Sequence, residues 1–423
     1  MLRLFRGGAR PQDRKEYLQD YVHGVIEPAG DLVYPLPGGT EPLVAPGDPV
    51  LAGQKLAQGA DVIHCACSGT VKTIERRPSA EGERICIVVE NDRRFTPAEG
   101  VGAAADWQEL SRSEILRRIA DSGTAGMDAR RFPAAAKLTD MKPGEVSRLA
   151  VDATDWEPIV TSDTDLIRTR GHGMAEGLRI LLRLFPGAEG VILMNEGDEK
   201  TIAWMAEILA RSGGIRIVPV AAGASPGDEG AITARLTRLG EKGRCVVMSP
   251  GAVYGIYEAV VKSTPVIRRI VTVAGSAVKN PGNYLVRVGT TCAELLSAAG
   301  VKAGQSVKKA VLGGSLTGTA IPSLDVPVAR DTGALLLFAQ DEAAEAAALA
   351  TECIRCGRCA RVCPVGLLPM LMARAAESCD IKRYENELHG VRCTMCGRCA
   401  EVCPAKRPLT DLFRYAGNLA GKK

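Results

Sequence analysis

Eight of the 14 cysteines lie in two runs of one pattern near the C-terminal end. The first run is Cys353-Ile-Arg-Cys356-Gly-Arg-Cys359-Ala-Arg-Val-Cys363-Pro364, and the second is Cys393-Thr-Met-Cys396-Gly-Arg-Cys399-Ala-Glu-Val-Cys403-Pro404. An iron–sulfur cubane needs one thiolate on each of its four irons. Three cysteines spaced closely on a tight loop can wrap three corners, and the fourth ligand must come from elsewhere. Zinc prefers two separated pairs of ligands, and disulfides suit a secreted chain. Neither calls for a triplet plus one, twice over. Electron transfer is therefore the expected chemistry.

The spacing C-x2-C-x2-C-x3-C-P is that of two-cluster bacterial ferredoxins, in which the fourth cysteine of each run ligates the other cluster. By that pattern Cys353, Cys356, Cys359 and Cys403 hold one [4Fe-4S] cluster, and Cys393, Cys396, Cys399 and Cys363 hold the other. Gly357 and Gly397 give the loops access to unusual backbone angles, and Pro364 and Pro404 turn the chain away. Arg355, Arg358, Arg361, Arg392 and Arg398 crowd these loops. They suit raised cluster potentials or docking of an acidic ferredoxin or flavodoxin-like carrier, and ordinary solvated charge accounts for them equally well. Cys379 lies outside both motifs and reads as a spare thiol. Cys86, Cys245 and Cys292 sit in apolar segments and read as core.

The elements that must position these runs follow from the rest of the chain. Its 423 residues allow two to four domains. Hydrophobic residues make up 46% and aromatics only 4%, so the cores rest on Val, Leu, Ile and Ala. A net charge of +4 is too mild to argue for nucleic acid. No apolar run of about 18 residues predicts a membrane span. Met1-Leu-Arg-Leu-Phe-Arg-Gly-Gly carries charge inside its apolar stretch and does not read as a signal peptide. A reducing cytoplasm is expected, with any membrane association made through a partner.

Residues 1–104 show short strands separated by Gly, Pro and Asp turns, and their pattern resembles the barrel-sandwich hybrid of lipoyl and biotinyl carrier domains. Where a carrier lysine would stand the chain reads His64-Cys65-Ala-Cys67. Neighbouring side chains on a strand alternate faces, so packing or free thiols are favoured there over a metal site. Residues 105–262 alternate helix and strand, which predicts an open parallel sheet of Rossmann-like type. The expected helices span 107–122, 173–184, 200–212 and 230–239. Residues 263–340 predict a small β-grasp unit. Residues 341–423 predict a mostly helical cluster domain. His172 and His389 have no neighbouring ligand set. The fold class is thus multidomain α/β.

This order resembles the RnfC family, the NADH-facing component of the Rnf electron transport complex. That membrane complex couples electron flow between ferredoxin and NAD to ion translocation. Phe5-Arg-Gly-Gly, Ser68-Gly-Thr-Val-Lys-Thr-Ile-Glu, Tyr257-Glu-Ala-Val-Val-Lys and Gly275-Ser-Ala-Val-Lys-Asn-Pro-Gly-Asn-Tyr-Leu-Val-Arg-Val-Gly carry the likeness, as does Cys403-Pro-Ala-Lys-Arg-Pro-Leu. Gly313-Gly314-Ser315 resembles the family's loop before its cluster domain, and a simple turn explains it too. The third unit is SLBB-like by this resemblance.

The family's flavin and NADH site is altered. Its loop G-x-G-G-A-G-F-P is Gly126-Met-Asp128-Ala129-Arg130-Arg131-Phe132-Pro133 here, followed by Lys137. Three inner glycines are gone, so side chains stand where the cofactor should approach. The segment N-G-A-E-C-E-P is Asp152-Ala-Thr-Asp155-Trp156-Glu157-Pro158, and the family's Tyr-Pro-Gln-Gly-Gly-Glu shortens to Ser225-Pro226-Gly227-Asp228-Glu229. The resemblance implies that Gly126, Phe132, Lys137, Glu157 and Glu196 remain of an FMN/NADH site. The accumulated losses argue against ordinary FMN and NADH binding, although two arginines suit a different anion. The expected function is an electron-transfer iron–sulfur protein working with other redox subunits. Alternatives are a working NADH:acceptor oxidoreductase with FMN, an Rnf-like adaptor for another reductase such as proline reductase, and a scaffold with structural clusters.

Overall fold

The computed structural model describes residues 22–125, 134–210, 213–221, 227–237 and 244–421. The first unit packs two antiparallel sheets face to face. One runs Leu32–Pro35, Gly82–Asn91, Gly69–Ser79 and Pro49–Val50, and the other Thr40–Pro42, Lys55–Gly59 and Val62–His64. Alternation along these strands turns Leu32, Tyr34, Leu56, Val71, Ile87 and Val89 into the shared core. Cys65 and Cys67 belong to that core and are fully buried. Their thiols lie 3.9 Å apart and 3.7 and 3.9 Å from the Tyr34 hydroxyl, which accepts the Ala66 N–H at 2.8 Å. Among the described residues no three His, Cys, Asp or Glu side chains gather at a single-ion site.

The second unit is an all-parallel sheet with strand order Ile215–Val220, Glu189–Asn195, Val146–Ala153, Arg244–Met248. The chain builds outward from Val146–Ala153 on one side and then crosses to the other. The point of reversal, beside the carboxyl ends of Val146–Ala153 and Arg244–Met248, is where such sheets open a crevice. Helix Ser162–Leu184 is longer than the expected 173–184. Gly173 and Gly177 permit close packing against helix Pro250–Val261. A Cβ at Gly177 would meet the Val253 carbonyl at 2.1 Å. The helix expected from Trp107 begins at Arg112, because Ser111 caps it by accepting the Glu114 N–H at 3.2 Å.

The third unit is a six-stranded mixed sheet, in order Val22–Ile26, Gly282–Arg287, Arg268–Ala274, Ala334–Phe338, Lys309–Leu312, Thr319–Ala320, with helix Cys292–Ala299 against it. Its edge strand comes from the far N-terminal side and pairs in parallel with Gly282–Arg287. A buried network fixes this sheet to the second unit. Thr161 donates its N–H to Thr272 Oγ1 at 3.1 Å, and Thr272 donates to Asn283 Oδ1 at 2.7 Å.

The last unit is helical and folds on the core of Met372, Ala376, Tyr384, Leu409 and Phe413. Among the described residues no helix is long and apolar enough to cross a membrane.

Candidate redox centre at the domain junction

The two cysteine runs adopt one backbone shape twice. Arg355 and Met395 have φ of 58° and 56°, Gly357 and Gly397 both 71°, and Gly366 and Lys406 71° and 49°. Each pair is separated by 40 residues, the offset between Cys353 and Cys393. The left-handed positions fold each Cys-x2-Cys-x2-Cys stretch into a loop. Gly357 and Gly397 then open the short helices Arg358–Val362 and Arg398–Glu401.

Side-chain proximity sorts the cysteines in the crossed manner. Burial, and then the neighbouring Cys403 and Cys353, raise the Cys359 thiol. Burial, and then Cys396, Cys393 and Cys363, raise Cys399. Cys363, Cys393, Cys396 and Cys399 together line one small cavity, with Leu367, Pro369, Met372 and Phe413 around them, and no cysteine of the other set does. The Leu367 N–H donates to Cys363 Sγ at 3.2 Å. Further N–H groups, of Met370 and Ala360, point at Cys359. A cubane is anionic, and N–H donors aimed at the ligating sulfurs stabilise it. The set Cys363, Cys393, Cys396 and Cys399, with such donors, fits a [4Fe-4S] cluster, and the matching loop brings Cys353 and Cys403 to Cys359.

The sets differ in surroundings. Cys356 is exposed, and so are Arg355, Arg358 and Arg361 around it. The second set faces inward. Arg398 is 5% exposed, lies near Cys396, Asp152 and Glu157, and places its guanidinium 5.8 Å from the Trp156 ring centroid. Gly397 packs so closely on the 313–317 loop that a Cβ there would stand 2.6 Å from the Leu316 carbonyl oxygen.

Trp156 and Glu157 also line the crevice at the reversal point of the parallel sheet, a cavity of about 170 Å³. Here the structure brings Lys137 and Glu157 together. Glu196 lies exposed after strand Glu189–Asn195 and does not line this cavity. Gly126 and Phe132, the loop between them, and Ser225 and Pro226 fall outside the described residues. Glu157 is committed to structure: Oε2 accepts Leu316 N–H at 3.0 Å, and Oε1 accepts Thr317 N–H at 2.9 Å and its hydroxyl at 2.5 Å. Burial outweighs these donors and raises its pKa. Lys137 is held by Glu229 at 2.6 Å and the Val247 carbonyl at 2.7 Å. Asp155 accepts Asp163 and Thr164 N–H at 3.3 and 3.0 Å, closing the N-terminal turn of helix Ser162–Leu184. Asp155 and Ile159 reach this arrangement with φ of 42° and 74°. The second is costly for a β-branched residue.

Charge and packing in the described lining decide the fit of a flavin. Asp152, Asp155, Glu157, Asp163, Glu229 and Asp331 face the cavity against Lys137. Gly227 packs against the Trp156 ring, which leaves no room there for a Cβ. A phosphate dianion entering such a site meets like charge in a poorly solvated space. The described part of the lining thus offers a phosphate-bearing flavin little positive charge.

The fold and site define a multidomain α/β protein with a dicluster ferredoxin-type unit, and comparison with known families agrees. Residues 3–94 match the RnfC barrel sandwich hybrid domain, 119–263 the Nuo51 FMN-binding domain, 270–320 the SLBB domain and 352–406 the 4Fe-4S dicluster domain. Together these give the chain an RnfC-like domain architecture. Among solved structures, a chain of an NAD+-reducing [NiFe]-hydrogenase in the H2-reduced state aligns at 17% identity and TM-score 0.51, over 74% of this chain and 64% of that one. The air-oxidized state gives 19%, 0.53, 76% and 62%. At this identity the likeness is one of fold, and this chain spans somewhat under two thirds of the hydrogenase chain. The findings support an electron-transfer protein of iron–sulfur and flavin-type architecture.

Proposed function

We propose that this chain is an RnfC-type electron carrier that holds two [4Fe-4S] clusters and has lost the FMN and NADH binding of its α/β unit. Cys353, Cys356, Cys359 and Cys403 hold one cluster, and Cys363, Cys393, Cys396 and Cys399 the other. Bound clusters supply one-electron transfer. The chain's own residues shield the second set behind Trp156 and Arg398, and present the first set at an arginine-rich surface suited to an acidic carrier. The observation that carries this reading is the contrast between two cysteine loops of one backbone shape and a crevice lined by six carboxylates around one neutralised lysine. The same contrast supports a second reading, an adaptor that receives electrons from another reductase. It disfavours a self-sufficient NADH:acceptor oxidoreductase.

Iron, acid-labile sulfide and flavin are to be measured on anaerobically purified protein. About eight irons and eight sulfides per chain are expected, with no flavin after reconstitution and no bleaching by NADH. Stoichiometric FMN reduced by NADH overturns the loss of the inlet, and a colourless zinc protein overturns the whole reading.

A further inference from the structure

A cleft of about 420 Å³ opens where the first three units meet, apart from the crevice just described. Arg170, Lys262, Arg268, Arg269 and Arg287 line it, against the carboxylates of Asp163 and Glu258. Glu27, directly after the N-terminal edge strand, neutralises part of this charge by pairing with Arg268 at 3.0 Å and with Arg287. Lys262 pairs with Glu258 at 3.2 Å. Arg170 is exposed on helix Ser162–Leu184 and makes no hydrogen bond or ion pair among the described residues. Ser162 lines the same cleft, is 3% exposed, and its buried hydroxyl finds no partner among the described residues. A buried hydroxyl left unbonded is costly, and the Arg170 charge is left for an anion to meet.

The rest of the lining is apolar. Phe95, Val101, Leu166, Tyr254 and Leu285 contribute walls from both sides. Phe95 is held at φ 54° with its ring 3.8 Å from the Arg287 guanidinium, which fixes an aromatic face at the edge of the cationic surface. A cavity of this size, apolar with a few convergent charges, suits a molecule of mononucleotide dimensions.

We propose that this cleft is a binding site for a small organic phosphate of mononucleotide type, its phosphate taken by Arg170 and Arg268 and its apolar body lying against Phe95 and Tyr254. Because the walls come from three units, the ligand would also tie them together. The site does not depend on the state of the flavin crevice, from which Asp163 divides it.

The test is calorimetric titration of the full chain with AMP, FMN and inorganic phosphate as separate probes, at low and high salt. At least one of the two nucleotides is expected to bind ten-fold or more tightly than inorganic phosphate, with an affinity that falls as salt rises. Arg170→Gln and Arg268→Gln are each expected to weaken it ten-fold or more. Phe95→Ala is expected to weaken the nucleotide and leave phosphate unchanged. Arg170 is exposed and unpaired, so its variant tests the site without threatening the fold. The proposal is overturned if neither nucleotide binds at millimolar concentration. It is equally overturned if binding survives Arg170→Gln and Arg268→Gln, or is abolished by Lys137→Ala, which would put the ligand in the other crevice.

Discussion

Glu157 makes the link between the α/β crevice and the second cysteine set experimentally accessible. Its carboxylate holds the backbone N–H of Leu316 and Thr317 and the Thr317 hydroxyl, and the loop it holds touches Gly397. Glu157→Ala removes three acceptor contacts. A donor left unsatisfied costs about 1–3 kcal/mol, and because the crevice admits some water we place the total at roughly 2–4 kcal/mol of local stability. That range corresponds to amide exchange in the 311–320 segment faster by roughly 30- to 1,000-fold. Glu157→Gln keeps one oxygen acceptor and is expected to lose about half as much. The pH dependence has a definite sign. Burial raises the Glu157 pKa above its ordinary value of 4.5. The folded chain therefore holds the proton more tightly than the unfolded chain does. The corresponding stability is fully present below that ordinary value and is lost as pH rises through the raised one. Glu157→Gln should lack this slope. Hydrogen exchange read by mass spectrometry on intact protein, across acidic to neutral pH, measures both. Unchanged exchange in 311–320 and 393–399 in Glu157→Ala would refute the brace, and an unaltered slope in Glu157→Gln would refute the assignment of the titration.

Three further outcomes are expected. Arg398→Gln removes a buried cation beside the second thiol set. At roughly 7 Å and an effective dielectric near 20, one charge is worth about 2 kcal/mol, or roughly 100 mV for one electron, so the potential of that cluster should fall. The exposed counterpart Arg358→Gln should shift the first cluster far less, and redox titration followed by electron paramagnetic resonance compares the two. Cys396→Ala should lose about half of the bound iron while Cys379→Ala retains all of it, as colorimetric iron analysis would show. Tyr34→Phe leaves the buried Ala66 N–H unpaired, and should lower the stability of the first unit by about 1–3 kcal/mol, visible in denaturant unfolding.

What the sequence reveals here depends on range. Ligand spacing, caps and turn glycines are local, so the cysteine runs and the helix expected at 200–212 are legible in it. The start of helix Ser162–Leu184 is not, because the expected helix opens at Gly173, whose place inside a longer helix is explained only when a second helix is laid against it. Glu157 matches a family position, yet its partners lie about 160 residues away, and no local pattern announces that it holds a loop. The pairing of Val22–Ile26 with Gly282–Arg287 is equally remote. The cationic cleft draws on Arg170, Lys262 and Arg287, which become neighbours only when the sheets and helices assemble.

The crossed ligand pattern proposed for the clusters gains a direction from the environment of each set. Both loops carry an arginine directly after the left-handed glycine. Arg358 points to solvent, while Arg398 is enclosed with Trp156 against the crevice where a flavin would stand in a working inlet. A cluster wrapped by protein exchanges electrons with what lies behind it, and one behind an exposed Cys356 with what docks in front. The residues that changed the crevice therefore bear on the supply to the second set and leave the first set's surface untouched. If the crevice no longer receives NADH, electrons must enter from another protein, and the exposed arginines around Cys356 offer an acidic carrier its natural point of contact. On this view the chain is a two-ended relay in which only the outward end meets a soluble partner. Its salt dependence should follow: neutralising Arg355 and Arg358 should slow reduction or oxidation by an acidic carrier at low ionic strength and matter little at high, whereas Arg398→Gln should change potential without changing salt dependence.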